Sequence, residues 1–282
     1  MDVFDLPAVA SLVRTALAED VGAGDVTTQL TVRPDTRARA EISAKENAMV
    51  AGLPLIRRVC AAAGGGVEVT EHLGDGARVV ASDVLATLSG PAQTLLTIER
   101  ITLNLLQHLS GIATMTARFV AAVSGHGCRI VDTRKTTPGL RVLEKYAVRV
   151  GGGFNHRSAL DDGVLIKNNH ITAAGGIGAA VAAARAGAPH GLKVEIECTT
   201  LAEVDEALAA GAEILLLDNM PAAQLTQAVQ HIAGRALVEA SGGITLANVA
   251  AVAAAGVDII SVGALTHSVQ AVDLHMTLYL AS

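Results

Sequence analysis

From residue 128 onward the apolar residues fall into six short runs, each closing on polar or glycine-rich positions. The runs cover residues 129–135, 164–170, 193–198, 213–219, 236–243 and 258–263. Their ends lie roughly 20–35 residues apart, the length of a strand–helix unit. Ala-rich stretches with helical character fill the gaps, such as 201–210 and 246–255, and Gly211 and Gly256 end them. Six or seven such units predict a parallel sheet, closed or nearly closed as a barrel, or open and doubly wound. Polar residues mark nearly every strand end, whereas a doubly wound sheet concentrates its site at one switch point. The expectation is therefore an α/β chain with an incomplete or open (β/α)-barrel.

The first hundred residues have another rhythm. Residues 6–20 carry helical spacing, with Leu12, Val13, Ala16 and Leu17 on one face. Gly22 and Gly24 stop that helix, and Asp25 opens a Thr-rich turn. Strand-like pieces follow at 38–43, 67–71 and 84–89, separated by glycine-rich turns. A long helix is predicted over 91–109, and another over 112–124. This gives an N-terminal α+β sandwich domain over 1–110 and a barrel domain over 111–268. A C-terminal helix over about 269–282 is expected to pack on the first domain.

Composition narrows the ligand. Hydrophobic residues make up 51% of the 282, ample for a sizeable core, but aromatics only 2%, with no Trp. An aromatic ligand must therefore be gripped by its polar groups. The net charge of −6 argues against nucleic-acid or anionic-membrane partners. Yet seven of the 21 Lys and Arg fall between Asp132 and His170, which points to a small anionic ligand. Three widely spaced cysteines fit neither a disulfide framework nor a zinc site. No basic segment followed by an apolar run opens the chain, and no run spans a bilayer, so a cytoplasmic protein is expected.

In a barrel the C-terminal strand ends converge on one face. That face would carry Arg134 and Lys135, Lys167, Glu197, Asp218, Ser241-Gly242-Gly243 and Gly263. A solvated strand end is the commoner reading for any one of them, but not for five or six in succession. Glycines let backbone N–H groups approach a phosphate, although a tight turn explains them equally well. Glu197 and Asp218 could bind Mg²⁺, ribose hydroxyls, or both. Arg134, Lys135, His156, Arg157 and Lys167 suit carboxylates. Within 136–153, Thr137 is expected to cap a helix with Pro138 at its first position. Arg141, Lys145 and Arg149 would share a face of it, solvated or functional with equal weight. A Schiff-base role for Lys167, as in barrel aldolases, is the rival enzyme reading, and the surplus of cations counts against it. A pure anion binder would avoid the acidic pair.

The segments 132–141, 144–148, 151–157 and 165–170 resemble quinolinate phosphoribosyltransferases, as do 19–28, 99–104, 195–198, 217–220 and 239–244. The resemblance implies transfer of phosphoribosyl from phosphoribosyl pyrophosphate to quinolinate with loss of CO₂, and Mg²⁺ as cofactor. It implies a homodimer with a shared active site, to which Arg100 contributes across the dimer. It also implies that Arg134, Lys135, His156 and Arg157 clamp carboxylates, with Thr133 beside them. Lys167 would lie where acid and sugar meet, and Glu197 and Asp218 would hold ribose or metal. Ser241, Gly242, Gly243, Val262, Gly263 and Ala264 would cup the 5′-phosphate. A related transferase with another acceptor acid is the hardest rival.

Overall fold

The computed structural model describes residues 2–280; the outermost ends of the two expected terminal segments, residues 1 and 281–282, lie outside them. The chain forms two compact units. The first comprises residues 1–117, 136–152 and 268–282, and the second 118–135 and 153–267.

The first unit opens with the helix Pro7–Val21, which buries Val9 and Val13. The Thr-rich segment that was expected as a turn is a short helix, Val26–Thr31, because the Asp25 carboxylate accepts from Thr28 N and Oγ1. Strands β1 (Arg37–Ala44), β2 (Ala48–Met49), β3 (Glu68–Glu71), β4 (Arg78–Val79) and β5 (Val84–Pro91) follow. Ile42, Leu53, Ile56, Leu85, Leu88, Leu95, Ile98 and Leu106 lie in its core.

The helix after β5 is one element, Ala92–Ala122, where two were expected. Gly111 does not break it. A Cβ there would stand 2.3 Å from the Gln270 carbonyl oxygen, so the glycine serves close backbone packing. Nor does Thr137 cap a helix: the next one is Arg141–Val150, with Leu140 at the cap. Thr137 N instead donates to Glu144, which also bonds His108. Lys145 is buried while Arg149 is exposed, so the three spaced cations do not form one solvated face.

The second unit carries β6 (Arg129–Val131), β7 (Val164–Ile166), β8 (Val194–Cys198), β9 (Ile214–Asp218), β10 (Leu237–Ser241) and β11 (Ile259–Ser261). They form one parallel sheet in the order β6-β11-β10-β9-β8-β7. Among the described residues no ladder joins β6 to β7. Phe154 makes a single parallel bridge to Val131 instead, so the barrel is open, within the expected fold class. Side chains alternate along each strand. Val194, Ile196, Leu215, Leu217, Val238, Ala240 and Ile260 are buried on one parity. On the other parity Glu197, Leu216, Asp218, Glu239, Ser241 and Ser261 line a cavity.

The last segment returns to the first unit as β12 (Leu274–Leu280), completing an antiparallel sheet of order β12-β1-β5-β3. It is a strand where a helix was expected. Leu274, Met276, Leu278 and Leu280 alternate with polar residues, and seven register pairs tie the strand to β1. No helix of the described residues is long and apolar enough to cross a membrane.

Candidate active site

The cavity of the second unit holds about 580 Å³, within the range of small-ligand sites. One side is cationic. Thr133, Arg134 and Lys135 follow β6, His156 and Arg157 follow the Phe154 bridge, and Lys167 ends β7. The Asp132 carboxylate, fully buried, fixes the second group. Its oxygens accept from His156 N at 2.9 Å and Asn155 Nδ2 at 2.6 Å. Arg157 also donates through Nη1 to the Gly163 carbonyl at 3.1 Å. Burial, followed by repulsion from Arg134, lowers the Arg157 pKa from its usual value, while Glu195 and Asp162 oppose the shift. Thr266 Oγ1 donates to the Lys135 carbonyl at 2.8 Å.

Opposite stand the acidic pair and the glycine turn. Glu197 and Asp218 end neighbouring strands, and both are half-buried. Asn168 N approaches Glu197 Oε2 at 3.4 Å, and Asn219 Nδ2 donates to Asp218 Oδ2 at 2.7 Å. Ser241, Gly242 and Gly243 line the cavity, both glycines with positive φ (+89° and +61°). Val262, Gly263 and Ala264, expected in the phosphate cup, are absent from its lining. At Gly263 a Cβ would stand 3.1 Å from Lys135 Cδ, so the glycine leaves room for that side chain. Arg100 is exposed on the helix Ala92–Ala122 and does not line this cavity either.

The floor holds residues that strand-end reasoning overlooked. Glu195 and Glu239, 5% and 2% exposed, lie one pleat deeper than Glu197 and Ser241 on the same parity. His156 Nε2 stands 3.2 Å from Glu195 Oε2 and 3.6 Å from Glu239 Oε2. Its Nδ1 accepts from Arg157 N at 2.7 Å, so the proton is assigned to Nε2. Both ring nitrogens thus face protein groups, and His156 lines the cavity beside Arg157, where the clamp was expected. Burial, then the Glu195 charge, raises the Glu239 pKa well above the usual carboxylate range, against His156 and a hydrogen bond from Ser261. A smaller cavity of about 290 Å³ opens beside this floor, among the N-terminal strand ends.

Family comparison decides the lineage. Residues 25–110 match the quinolinate phosphoribosyl transferase N-terminal domain, and residues 112–277 its C-terminal domain. The chain belongs to the quinolinate phosphoribosyltransferase family. It is 49% identical to the probable nicotinate-nucleotide pyrophosphorylase (carboxylating) of Synechocystis, over 87% of this chain and 84% of that one. With the Mycobacterium leprae nicotinate-nucleotide pyrophosphorylase (carboxylating) it shares 45%, over 97% and 98%. The crystal structure of NadC from Streptococcus pyogenes superposes with a TM-score of 0.93 at 41% identity, covering 99% of both chains.

For a quinolinate phosphoribosyltransferase the missed floor was legible in one signal. Glu195 and Glu197 sit two residues apart in a strand, as do Glu239 and Ser241, so each pair shares a face. Asn219 had no such signal. It joins the site through its left-handed backbone (φ 55°) and its bond to Asp218.

Proposed function

We propose that this enzyme transfers phosphoribosyl from phosphoribosyl pyrophosphate to quinolinate, releasing nicotinate mononucleotide, pyrophosphate and CO₂ in de novo NAD biosynthesis. One observation carries the assignment of substrates within the site. A single cavity sets Arg134, Lys135, Arg157 and Lys167 against Glu197, Asp218 and the Ser241-Gly242-Gly243 turn.

Arg134, Lys135 and Arg157 hold the two ring carboxylates, guanidinium forks matching carboxylates bidentately. Lys167 stands where the acid meets the sugar. Ser241 and the N–H groups of Gly242 and Gly243 receive the 5′-phosphate; neither N–H has a protein acceptor among the described residues. Glu197 and Asp218 hold ribose hydroxyls and offset the positive charge that develops at the anomeric carbon. The ring nitrogen is thereby aimed at that carbon, and positioning supplies much of the rate. Once quaternised, the nitrogen stabilises the electron pair left when the adjacent carboxyl departs. The acidic pair also fits Mg²⁺, a cation that takes one or two carboxylates together with substrate phosphates and water. Bound there by Glu197 and Asp218, it would neutralise charge on the pyrophosphate. The active unit is a homodimer in which Arg100 of one copy reaches the cavity of the other; its exposure on a helix outside this chain's own cavity lining supports that assignment. The reaction is placed in the cytoplasm.

The test is CO₂ release from carboxyl-labelled quinolinate. Release that requires phosphoribosyl pyrophosphate is the expected result, and none under any condition overturns the reading.

A further inference from the structure

We propose that Glu239 supplies the proton that replaces the lost carboxyl group on the pyridine ring. The inference rests on the quinolinate reading above. Decarboxylation leaves an electron pair on ring carbon 2, and the product carries hydrogen there, so a proton donor is required. The cations lining the cavity bind carboxylate well, and the floor adds a buried carboxyl group whose pKa is raised towards the acid form. Glu239 lines the same cavity as Arg157, Lys135 and Lys167 and is 2% exposed. Burial and the facing Glu195 raise its pKa to about 7, which favours the acid form. Glu195 on β8 faces it, one oxygen on each of the two glutamates lacks any hydrogen-bond partner, and His156 Nε2 lies between them. Ser261 on β11 bonds it, Asp162 and Lys193 share the smaller cavity beside it, and Arg157, Glu197, Asp218, Arg134, Lys135 and Lys167 line the cavity above.

The step balances. The bond from carbon 2 to its carboxyl carbon breaks, CO₂ leaves, and the electron pair stays on carbon 2. The O–H bond of Glu239 breaks, its proton forms the new C–H bond, and Glu239 becomes a carboxylate that water re-protonates before the next turnover. Charge also balances. The substrate carboxylate leaves as a neutral molecule while one negative charge appears on Glu239. The cations that held the first are left beside the second, and total cavity charge does not change. Before the step, a neutral Glu239 avoids repelling the bound diacid. A second ionised carboxylate beside Glu195 would oppose binding.

The experiment is a single turnover of Glu239→Gln in the full chain, following pyrophosphate and CO₂ separately. The expected result is pyrophosphate released within about threefold of the wild-type rate. CO₂ and nicotinate mononucleotide should lag by ~10²-fold or more, the usual contribution of a positioned acid. The dicarboxylate mononucleotide should accumulate meanwhile. Ser261→Ala keeps the acid and removes a bond favouring its ionised form, so the high-pH fall in wild-type CO₂ release should move to higher pH. That second variant decides the matter if the first does not fold. CO₂ release in Glu239→Gln at the wild-type rate, loss of both products together, or an unmoved pH limb in Ser261→Ala each overturns the proposal. So does one divalent ion held per wild-type chain and lost in Glu239→Gln, which would place a metal where we place a proton. Failure of wild-type CO₂ release would refute the quinolinate reading itself.

Discussion

Gly242 and Asn219 meet so closely that a Cβ on Gly242 would fall 2.4 Å from Asn219 Oδ1. Asn219 in turn bonds Asp218 through its side chain and the Ser241 carbonyl through its backbone. Gly242 also sits at φ +89°, a conformation that costs other residues about 1–3 kcal/mol. Gly242→Ala should therefore displace Asn219 and disturb Asp218 and the phosphate turn together. The expected outcome is at least a tenfold rise in KM for phosphoribosyl pyrophosphate, with quinolinate binding changed less than threefold in equilibrium titration. Equal loss for both substrates would count against the division of the cavity.

Much of this was legible in the chain. The βα rhythm located all six parallel strands, because their outer faces must be apolar to pack under helices. It also placed Arg134, Lys167, Glu197, Asp218 and Ser241, since a barrel brings strand ends together. Three things were not legible. Gly111 reads as a break, and only the distant Gln270 carbonyl shows why it is not one. Segment 269–280 looks helical until its pairing partner β1 is known. The floor carboxyls were hidden because attention to strand ends passes over inward residues one pleat deeper.

The clamp has its own test. Arg134 and Arg157 lie close enough for mutual repulsion, an arrangement that an anion would relieve. Arg134→Ala should cost ~2–3 kcal/mol of quinolinate binding, the range for hydrogen bonds to charged groups. Phosphoribosyl pyrophosphate should bind within threefold of wild type by calorimetry. A matching loss for the donor would refute a carboxylate-specific role.

Asp132 is a buried brace rather than a ligand. It holds His156 N and Asn155 Nδ2, and through them the loop carrying Arg157. Removing it as Asp132→Ala strands two donors, which should lower stability by about 2–4 kcal/mol. Quinolinate KM should rise as the clamp loosens. Unfolding midpoints together with KM would check both, and a variant as stable as wild type would show the brace to be dispensable.

The proposed sharing of the site between copies predicts complementation. Arg100→Ala and Glu197→Gln should each be nearly inactive. Mixed and allowed to exchange subunits, half the dimers would be mixed, each with one intact site, giving about a quarter of wild-type activity. Fresh heterodimers without recovery would confine each site to one chain. The same assay in chelator should lose turnover and regain it with added Mg²⁺.

Burial of Glu239 also makes a prediction about stability whose sign is fixed. Its folded pKa is raised above its unfolded value by burial and by Glu195, so above the ordinary glutamate range the folded state binds more protons than the unfolded. The Glu239 contribution to stability then falls as pH rises from that range towards the raised pKa, because the unfolded chain can release the proton and the folded one resists. Glutamine keeps the shape and cannot ionise. The difference in melting temperature, Glu239→Gln minus wild type, should therefore increase as pH is raised from 4 to 8. Thermal unfolding across that span measures it directly. A difference that shrinks with pH would mean that Glu239 is stabilised as a carboxylate. That result would remove the neutral Glu239 on which both the tolerance of a bound diacid and the supply of a proton depend.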